Sequence, residues 1–499
     1  MTIYLTIAVI ALAFSLGLTP LVKRLAPAWN LVDEPDGRRK THQGVVPLGG
    51  GLAVAVSIVT ALGLHALLFP QILDAYEGAG PFQGNARFLL GLFLASAVIC
   101  VVGLLDDREG LRGRQKLFGQ LIAVAVLMLF SGMSVAKLGL FGAEFDLGIL
   151  AIPFTIFWLL GAINALNLMD GIDGLAATIG ATASFALAGM CIIGGRDIDA
   201  VLALALGGSL IGFLRYNMPP ASIFLGDTGS MLIGFLLGAL ALHASLKGPT
   251  TVALAAPVAM LAIPILDSTA AILRRKLTGK SIYATDRGHM HHVIMGKGYS
   301  NKATVAIIAV ASIGTCSAAL LSVYWKNELL AGISVLVLIL ALVASRIFGY
   351  AEYLLLRNRM LELGRSLIRP GRKFGEHRET AVQIQGSRDW NELWSRLREL
   401  VSPHIVRVRL DLDLPRLQEG FHARWERAGD HDENLACEQL FPVIVGDVVI
   451  GRLEVVGLLE GVDAETAQAA ALRLLEFLRS EAAGLLSHER RGPKLELAR

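Results

Sequence analysis

The sequence predicts an all-α polytopic membrane protein with about eleven transmembrane helices, N-terminus outside, and a C-terminal cytoplasmic α+β domain. Three observations predict it. The chain is 54% hydrophobic and only 17% charged over 499 residues, against roughly 25% charged in soluble domains. Its apolar runs reach the ~20 residues that span a bilayer. Past Arg346 the composition turns charged and mixed.

The runs lie near 3–22, 48–69, 87–105, 117–132, 150–166, 174–193, 199–214, 229–246, 251–272, 303–323 and 328–348. The first follows the start Met with no basic segment and no small-residue cleavage site, so it reads as a retained helix. With the N-terminus outside, the inner loops carry 17 Lys and Arg and the outer loops 4. This bias sets the orientation under the positive-inside rule and leaves the C-terminus in the cytoplasm. The first 348 residues form the membrane domain, and 349–373 a basic amphipathic linker suited to the inner leaflet. Residues 374–499 form a soluble α+β domain, weakly similar to GAF-type units. Trp390, Leu393, Trp394, Leu397 and Leu400 have helical spacing. Ile405–Leu412 alternates like a strand, Phe441–Leu458 reads as two strands about Gly446-Asp447, and Ala464–Leu486 as a long helix.

A net charge of +3 gives no reason to expect a nucleic-acid partner. Cys100, Cys191, Cys316 and Cys437 lie far apart, which argues against a disulfide framework or a zinc site.

Five polar stretches interrupt the membrane domain, all on the predicted inner side: Leu31–Gly51, Gly103–Lys116, Asn164–Ala176, Phe213–Ser230 and Arg274–His292. Charge kept at the membrane is costly, so this concentration on one face indicates a working site. Asp106 and Asp107 end the third run. Adjacent carboxylates are held together by a cation or by a raised pKa on one of them; a solvated helix end is the plain alternative. Asn167, Asp170 and Asp173 stand in NLMDGIDGLA before the sixth helix. An N-cap explains Asp173 but leaves the other two without a task. Asp227 heads the eighth helix between Gly226 and Gly229, and Asn217 precedes it. Arg287, His289, His291 and His292 share a basic loop whose donors suit a phosphate or a sugar hydroxyl. H-x-H-H can also ligate zinc, but no fourth ligand is adjacent.

In this order, LVDEPDGRRKTH with PLGGG, GLLDD, NALNLMDGIDGLA, FLGDTGS and DRGHMHH resemble the polyprenyl-phosphate N-acetylhexosamine-1-phosphate transferase family over residues 1–348. DRGHMHH is similar to the WecA/TagO branch rather than the related MraY branch. The resemblance implies a UDP-N-acetylhexosamine donor, an undecaprenyl phosphate acceptor and Mg²⁺, with Mn²⁺ able to stand in. By the same resemblance Asp227 binds the metal, and Asp106 deprotonates or orients the lipid phosphate, with Asp107 supporting it or the metal. Lys116 neutralises phosphate, and Asn167, Asp170, Asp173 and Asn217 hold the nucleotide, with Phe224 on uracil. Arg287 and the three histidines face the sugar and diphosphate, and Lys40 and His42 contact donor or lipid phosphate. The implied setting is the bacterial inner membrane, with the lipid bilayer, both substrates and a second copy in a homodimer as partners. A secondary transporter with intramembrane carboxylates is the rival reading; it needs sites near the midplane on repeated, broken helices.

Overall fold

The computed structural model describes residues 2–33, 44–69, 85–245, 251–277, 288–345, 349–350, 353–354, 356–357, 360, 377–385, 390–414, 419–427, 436–446, 448–458 and 464–487. Helix α1 (Thr2–Leu25) leads through a short two-stranded pair, β1 (Val32–Asp33) and β2 (Val46–Pro47), into α2 (Gly50–Leu68). Helices α3 (Asn85–Glu109) and α4 (Gly113–Ser131) follow. An antiparallel hairpin, β3 (Lys137–Leu140) and β4 (Ala143–Asp146), precedes α5 (Ala151–Leu168), α6 (Leu175–Ile193), α7 (Asp197–Asn217) and α8 (Gly226–Ala244). Strand β5 (Thr251–Ala253) pairs parallel with β3.

Helices α7 and α8 form the centre, each 83% buried along its apolar window. Small residues let neighbours reach them. A Cβ at Gly208 or Gly212 of α7 would meet the α1 backbone at 2.2 and 2.6 Å, and one at Gly234 of α8 the α5 backbone at 2.5 Å. Small-xxx-small faces of this kind drive close helix packing where lipid supplies no hydrophobic contrast.

The expected single span over 251–272 is broken. After β5 come α9 (Ala255–Met260) and α10 (Ala262–Leu277), separated at Leu261. Pro264 has no N–H to give the Met260 carbonyl, so the ladder stops there and restarts. Then come α11 (Met290–Gly296), α12 (Asn301–Tyr324) and α13 (Glu328–Ala344). Nine helices among the described residues are long and apolar enough to cross a membrane, rather than eleven; α13 is apolar but has 17 residues.

The chain divides into two compact units, Met1–Ala270 with Lys297–Leu342, and Ala271–Gly296 with Val343–Arg499. The second unit holds a five-stranded antiparallel sheet in the order β6-β8-β7-β10-β9. Its elements are β6 (His377–Gln385), α14 (Trp390–Glu399), β7 (Ile405–Leu414), β8 (Glu419–Arg427), β9 (Ala436–Val445), β10 (Val448–Leu458) and α15 (Ala464–Ser487). Trp390 and Trp394 of α14 and Leu474 and Leu478 of α15 share one core with Val408, Leu410, Phe421 and Leu453. The α14, β7, β9, β10 and α15 segments match the sequence reading. Strands β6 and β8 were not expected, because HRETAVQIQ and EGFHARWER carry too many charged residues to alternate cleanly.

Candidate active site

Four helix ends and one short loop build the site within the first unit. The N-terminus of α2 docks on the segment before α8: Gly50 and Gly51 amides donate to the Phe224 and Leu225 carbonyls at 3.0 and 2.8 Å. The Phe224 amide donates to the Pro47 carbonyl at 2.9 Å. These bonds satisfy amides that a helix start leaves without partners. A Cβ at Gly51 would lie 2.1 Å from the Gly229 nitrogen, and one at Gly103 of α3 would lie 2.3 Å from the Thr228 Cα. The glycines of PLGGG and GLLDD are therefore contact points for the first turn of α8.

Asp106 and Asp107 occupy the last turn of α3 and have different surroundings. The Asp107 carboxylate accepts from the Asp227 amide (2.7 Å), the Thr228 amide (3.1 Å) and Thr228 Oγ1 (2.7 Å). It caps α8 from a neighbouring helix. Both oxygens are engaged, and through them Asp107 positions Asp227. Asp106 Oδ1 accepts from the Leu111 amide at 2.7 Å, and its Oδ2 lies 2.8 Å from Lys116 Nζ. Lys116 Nζ also reaches Asp227 Oδ1 at 2.6 Å. Asn167 Nδ2 donates to that same oxygen and to Ser230 Oγ, the latter at 2.9 Å. Asp106, Lys116, Asn167 and Asp227 thus meet from α3, α4, α5 and α8.

Asp170 lies in the α5–α6 loop beside this cluster. Burial pushes its carboxyl well above the usual range, the Asp227, Asp107 and Asp173 charges push it further, and Lys116 opposes them. Asp173 Oδ2 accepts from the Ala221 amide at 2.8 Å, tying this loop to the one before α8. Asn217 is buried, and its amide is spent within the protein: Oδ1 accepts from the Gly174 amide (3.1 Å) and Nδ2 donates to the Ile223 carbonyl (2.9 Å). These bonds hold the two loops together. Phe224 is half-buried.

His289, His291 and His292 belong to the second unit. His289 and His291 are buried, and the His291 ring stacks with His289 and tilts against His292 at 4.2 Å. Burial, then the two neighbouring rings, hold His291 well below the ordinary histidine range, so it is neutral. A Cβ at Gly288 would lie 2.2 Å from the Arg274 guanidinium carbon. Lys40, His42 and Arg287 lie outside the described residues.

Three contributors had not been singled out in the sequence. Thr228 and Ser230 supply hydroxyls around Asp227. Gln120, one turn beyond Lys116 and fully buried, pairs with Asn164 (Asn164 Nδ2 to Gln120 Oε1, 2.8 Å) and so locks α4 to α5. A lone amide four residues after a site lysine in an apolar run was the available signal.

The glycosyl transferase family 4 model matches residues 89–245, the stretch that runs from α3 to the end of α8. The chain is 34% identical over 302 residues to the probable undecaprenyl-phosphate N-acetylglucosaminyl 1-phosphate transferase of Bacillus subtilis (strain 168), covering 60% of this chain and 79% of that protein. It belongs to this transferase family. The decaprenyl-phosphate N-acetylglucosaminephosphotransferase of Mycobacterium tuberculosis (strain ATCC 25618 / H37Rv) is 33% identical over 314 residues, 58% of this chain and 74% of its own. The undecaprenyl-phosphate alpha-N-acetylglucosaminyl 1-phosphate transferase of Escherichia coli (strain K12) is 30% identical over 310 residues, 60% and 79% of the two chains. The family model lies within the expected membrane domain. It gives the transporter reading no support.

Proposed function

We propose that the protein transfers N-acetylglucosamine 1-phosphate from UDP-N-acetylglucosamine to undecaprenyl phosphate on the cytoplasmic side of a bacterial membrane, beginning a cell-envelope glycan. The observation that carries this is the meeting of Asp106, Asp227, Lys116 and Asn167 at the ends of four apolar helices, in a chain of this family. Transfer between two anions depends on positioning and charge neutralisation, which such a set provides. An oxygen of the lipid phosphate forms a bond to the β-phosphorus. The bond from that phosphorus to the bridging oxygen breaks, and its electron pair leaves with UMP. Asp106 orients the lipid phosphate and takes its proton if it carries one. Lys116 faces the diphosphate, Asn167 and Asp170 the nucleotide half. Asp107 and Asn217 hold the frame.

The donor set fits magnesium, which takes hard oxygen ligands and is commonly held by one or two carboxylates plus substrate phosphates. Among the described residues no three His, Cys, Asp or Glu side chains form a ready cage, so Asp227 and Asp106 would hold the ion with the substrate completing its shell. When bound, Mg²⁺ supplies neutralisation of the charge that develops on the diphosphate. The histidine loop is assigned to the sugar and diphosphate.

The test is release of UMP by purified protein from UDP-N-acetylglucosamine, with and without undecaprenyl phosphate. We expect lipid-dependent UMP and a lipid-diphosphate-sugar. Uptake of solute with no UMP would overturn the proposal. A panel of UDP-sugars names the donor.

A further inference from the structure

Lys116 stands where a cation is needed. Its ammonium lies 2.6 Å from Asp227 Oδ1 and 2.8 Å from Asp106 Oδ2, and it is largely buried, as is Asp106. The two carboxylates come from α3 and α8, whose ends are pinned together by Asp107 and by the Gly103–Thr228 contact, so they cannot drift apart. Nor is Lys116 free to leave with its helix, because Gln120 fixes α4 to Asn164. Two carboxylates this close, one of them buried, would be costly without a counter-charge. A magnesium ion would take the same oxygens at about 2.0–2.1 Å. An ammonium and a divalent ion cannot both occupy that space against one pair of carboxylates.

We propose that Lys116 is a built-in counter-cation. It competes with the divalent ion for the Asp106–Asp227 pair and, once displaced, turns its ammonium to the donor's diphosphate. The competition stands on geometry alone; the second half rests on the transferase reading. Divalent metal alone therefore binds weakly, since it must strip the lysine of its partners. A nucleoside diphosphate gives the ammonium a new partner, so metal and nucleotide tighten one another, by the same factor in each direction.

The test uses the full-length protein in detergent, with Mn²⁺ as the probe and free Mn²⁺ counted by electron paramagnetic resonance, with and without UDP. Wild type should bind Mn²⁺ weakly at this site and more tightly when UDP is present. Lys116→Met keeps the length without the charge. It should bind Mn²⁺ alone about tenfold more tightly or better, a shift of about 1.4 kcal/mol, with the UDP effect reduced. Asp227→Asn should abolish the tight binding and identifies the site. Lys116→Met affinity equal to or weaker than wild type would overturn the proposal. Should Lys116→Met fold poorly, Lys116→Gln serves, and Lys116→Arg tests charge: tightening in Arg equal to that in Gln also overturns it. Wild-type UMP release is scored separately. Metal competition without UMP release would sink the transferase reading and spare the competition; the reverse outcome would do the opposite.

Discussion

Asp107 and Thr228 are joined twice: one carboxylate oxygen accepts both the amide of Thr228, at 3.1 Å, and its hydroxyl, at 2.7 Å. The other oxygen accepts the Asp227 amide at 2.7 Å. The end of α3 thereby caps the start of α8, where the helix dipole favours an anion. Adjacent carboxylates in the sequence have separate partners: Asp107 accepts from the start of α8, and Asp106 accepts the Leu111 amide and pairs with Lys116.

Asp107→Asn should therefore lower stability and turnover together. It removes the charge and leaves one oxygen to serve three donors, a loss of about 1–3 kcal/mol. Thr228→Val should cost about 1 kcal/mol, and Thr228→Ser should restore most of it. Thermal unfolding beside UMP release checks this. A variant Asp107→Asn that melts like wild type yet is inactive would place Asp107 on the reacting groups instead.

Alanine at Gly51 or Gly103 would drive a methyl group to 2.1 Å from the Gly229 nitrogen or 2.3 Å from the Thr228 Cα, both backbone atoms. Overpacking against an unyielding backbone costs about 1–3 kcal/mol or more. Both variants should show earlier melting and a shifted Mg²⁺ requirement, because the strain falls on the turn that carries Asp227. Gly63 has nothing within 4 Å of its Cβ position, so Gly63→Ala is the control and should behave as wild type.

The raised pKa of Asp170 makes a pH prediction with a definite sign. Its folded state holds the proton above the pH at which the unfolded chain releases it, so stability falls as pH rises from the unfolded pKa toward the folded one. Asp170→Asn should flatten that slope and raise the melting temperature at neutral pH without metal, while lowering turnover. A stability profile with the same slope in both proteins would show that Asp170 is not held protonated.

Much of the site was legible because its chemistry needs charged residues at helix ends, and such residues stand out against apolar runs. Asp106, Lys116, Asn167 and Asp227 meet as the motifs suggested. What escaped was which backbone groups each carboxylate accepts from. No pattern distinguishes Asp106 from Asp107, since which carboxylate faces the backbone depends on the helix rotation that the Gly103–Thr228 contact imposes. Asn217 reads as a ligand for the same reason: a buried amide closing two loops looks, in sequence, like an exposed one. The break at Leu261 was signalled by Pro257 and Pro264. It was missed because the surrounding run is apolar enough to read as one span.

The C-terminal sheet domain should stand alone. Its core is its own, with Trp390 and Trp394 fully or nearly fully buried against the sheet, and Trp394 Nε1 donates to Glu379 Oε1 at 2.8 Å. Residues 374–499 expressed by themselves should unfold cooperatively, and Trp394→Ala should cost about 3–5 kcal/mol. Truncation after Arg372 should leave measurable UMP release, because every residue of the carboxylate cluster precedes it. A well-inserted truncate without turnover would mean the tail completes the site.

Asp227 carries the heaviest assignment, and its replacement by Asn separates two roles. The side chain stands in the first turn of α8 without capping it, and its Oδ1 accepts from Lys116 and Asn167. If Asp227 only held these partners, Asp227→Asn would lose little stability and little activity. If it holds the metal, the change removes a full charge from the ion while keeping shape and one oxygen. The rate should then fall on the order of a hundredfold or more, as when another electrostatic stabiliser of a transition state is removed. The activity that remains should need more Mg²⁺, and melting should stay close to wild type, since Lys116 retains Asp106 as a partner. Turnover measured against Mg²⁺ for both proteins decides the matter: superimposable curves would place the metal elsewhere and leave Asp227 as a partner of Lys116 and Asn167.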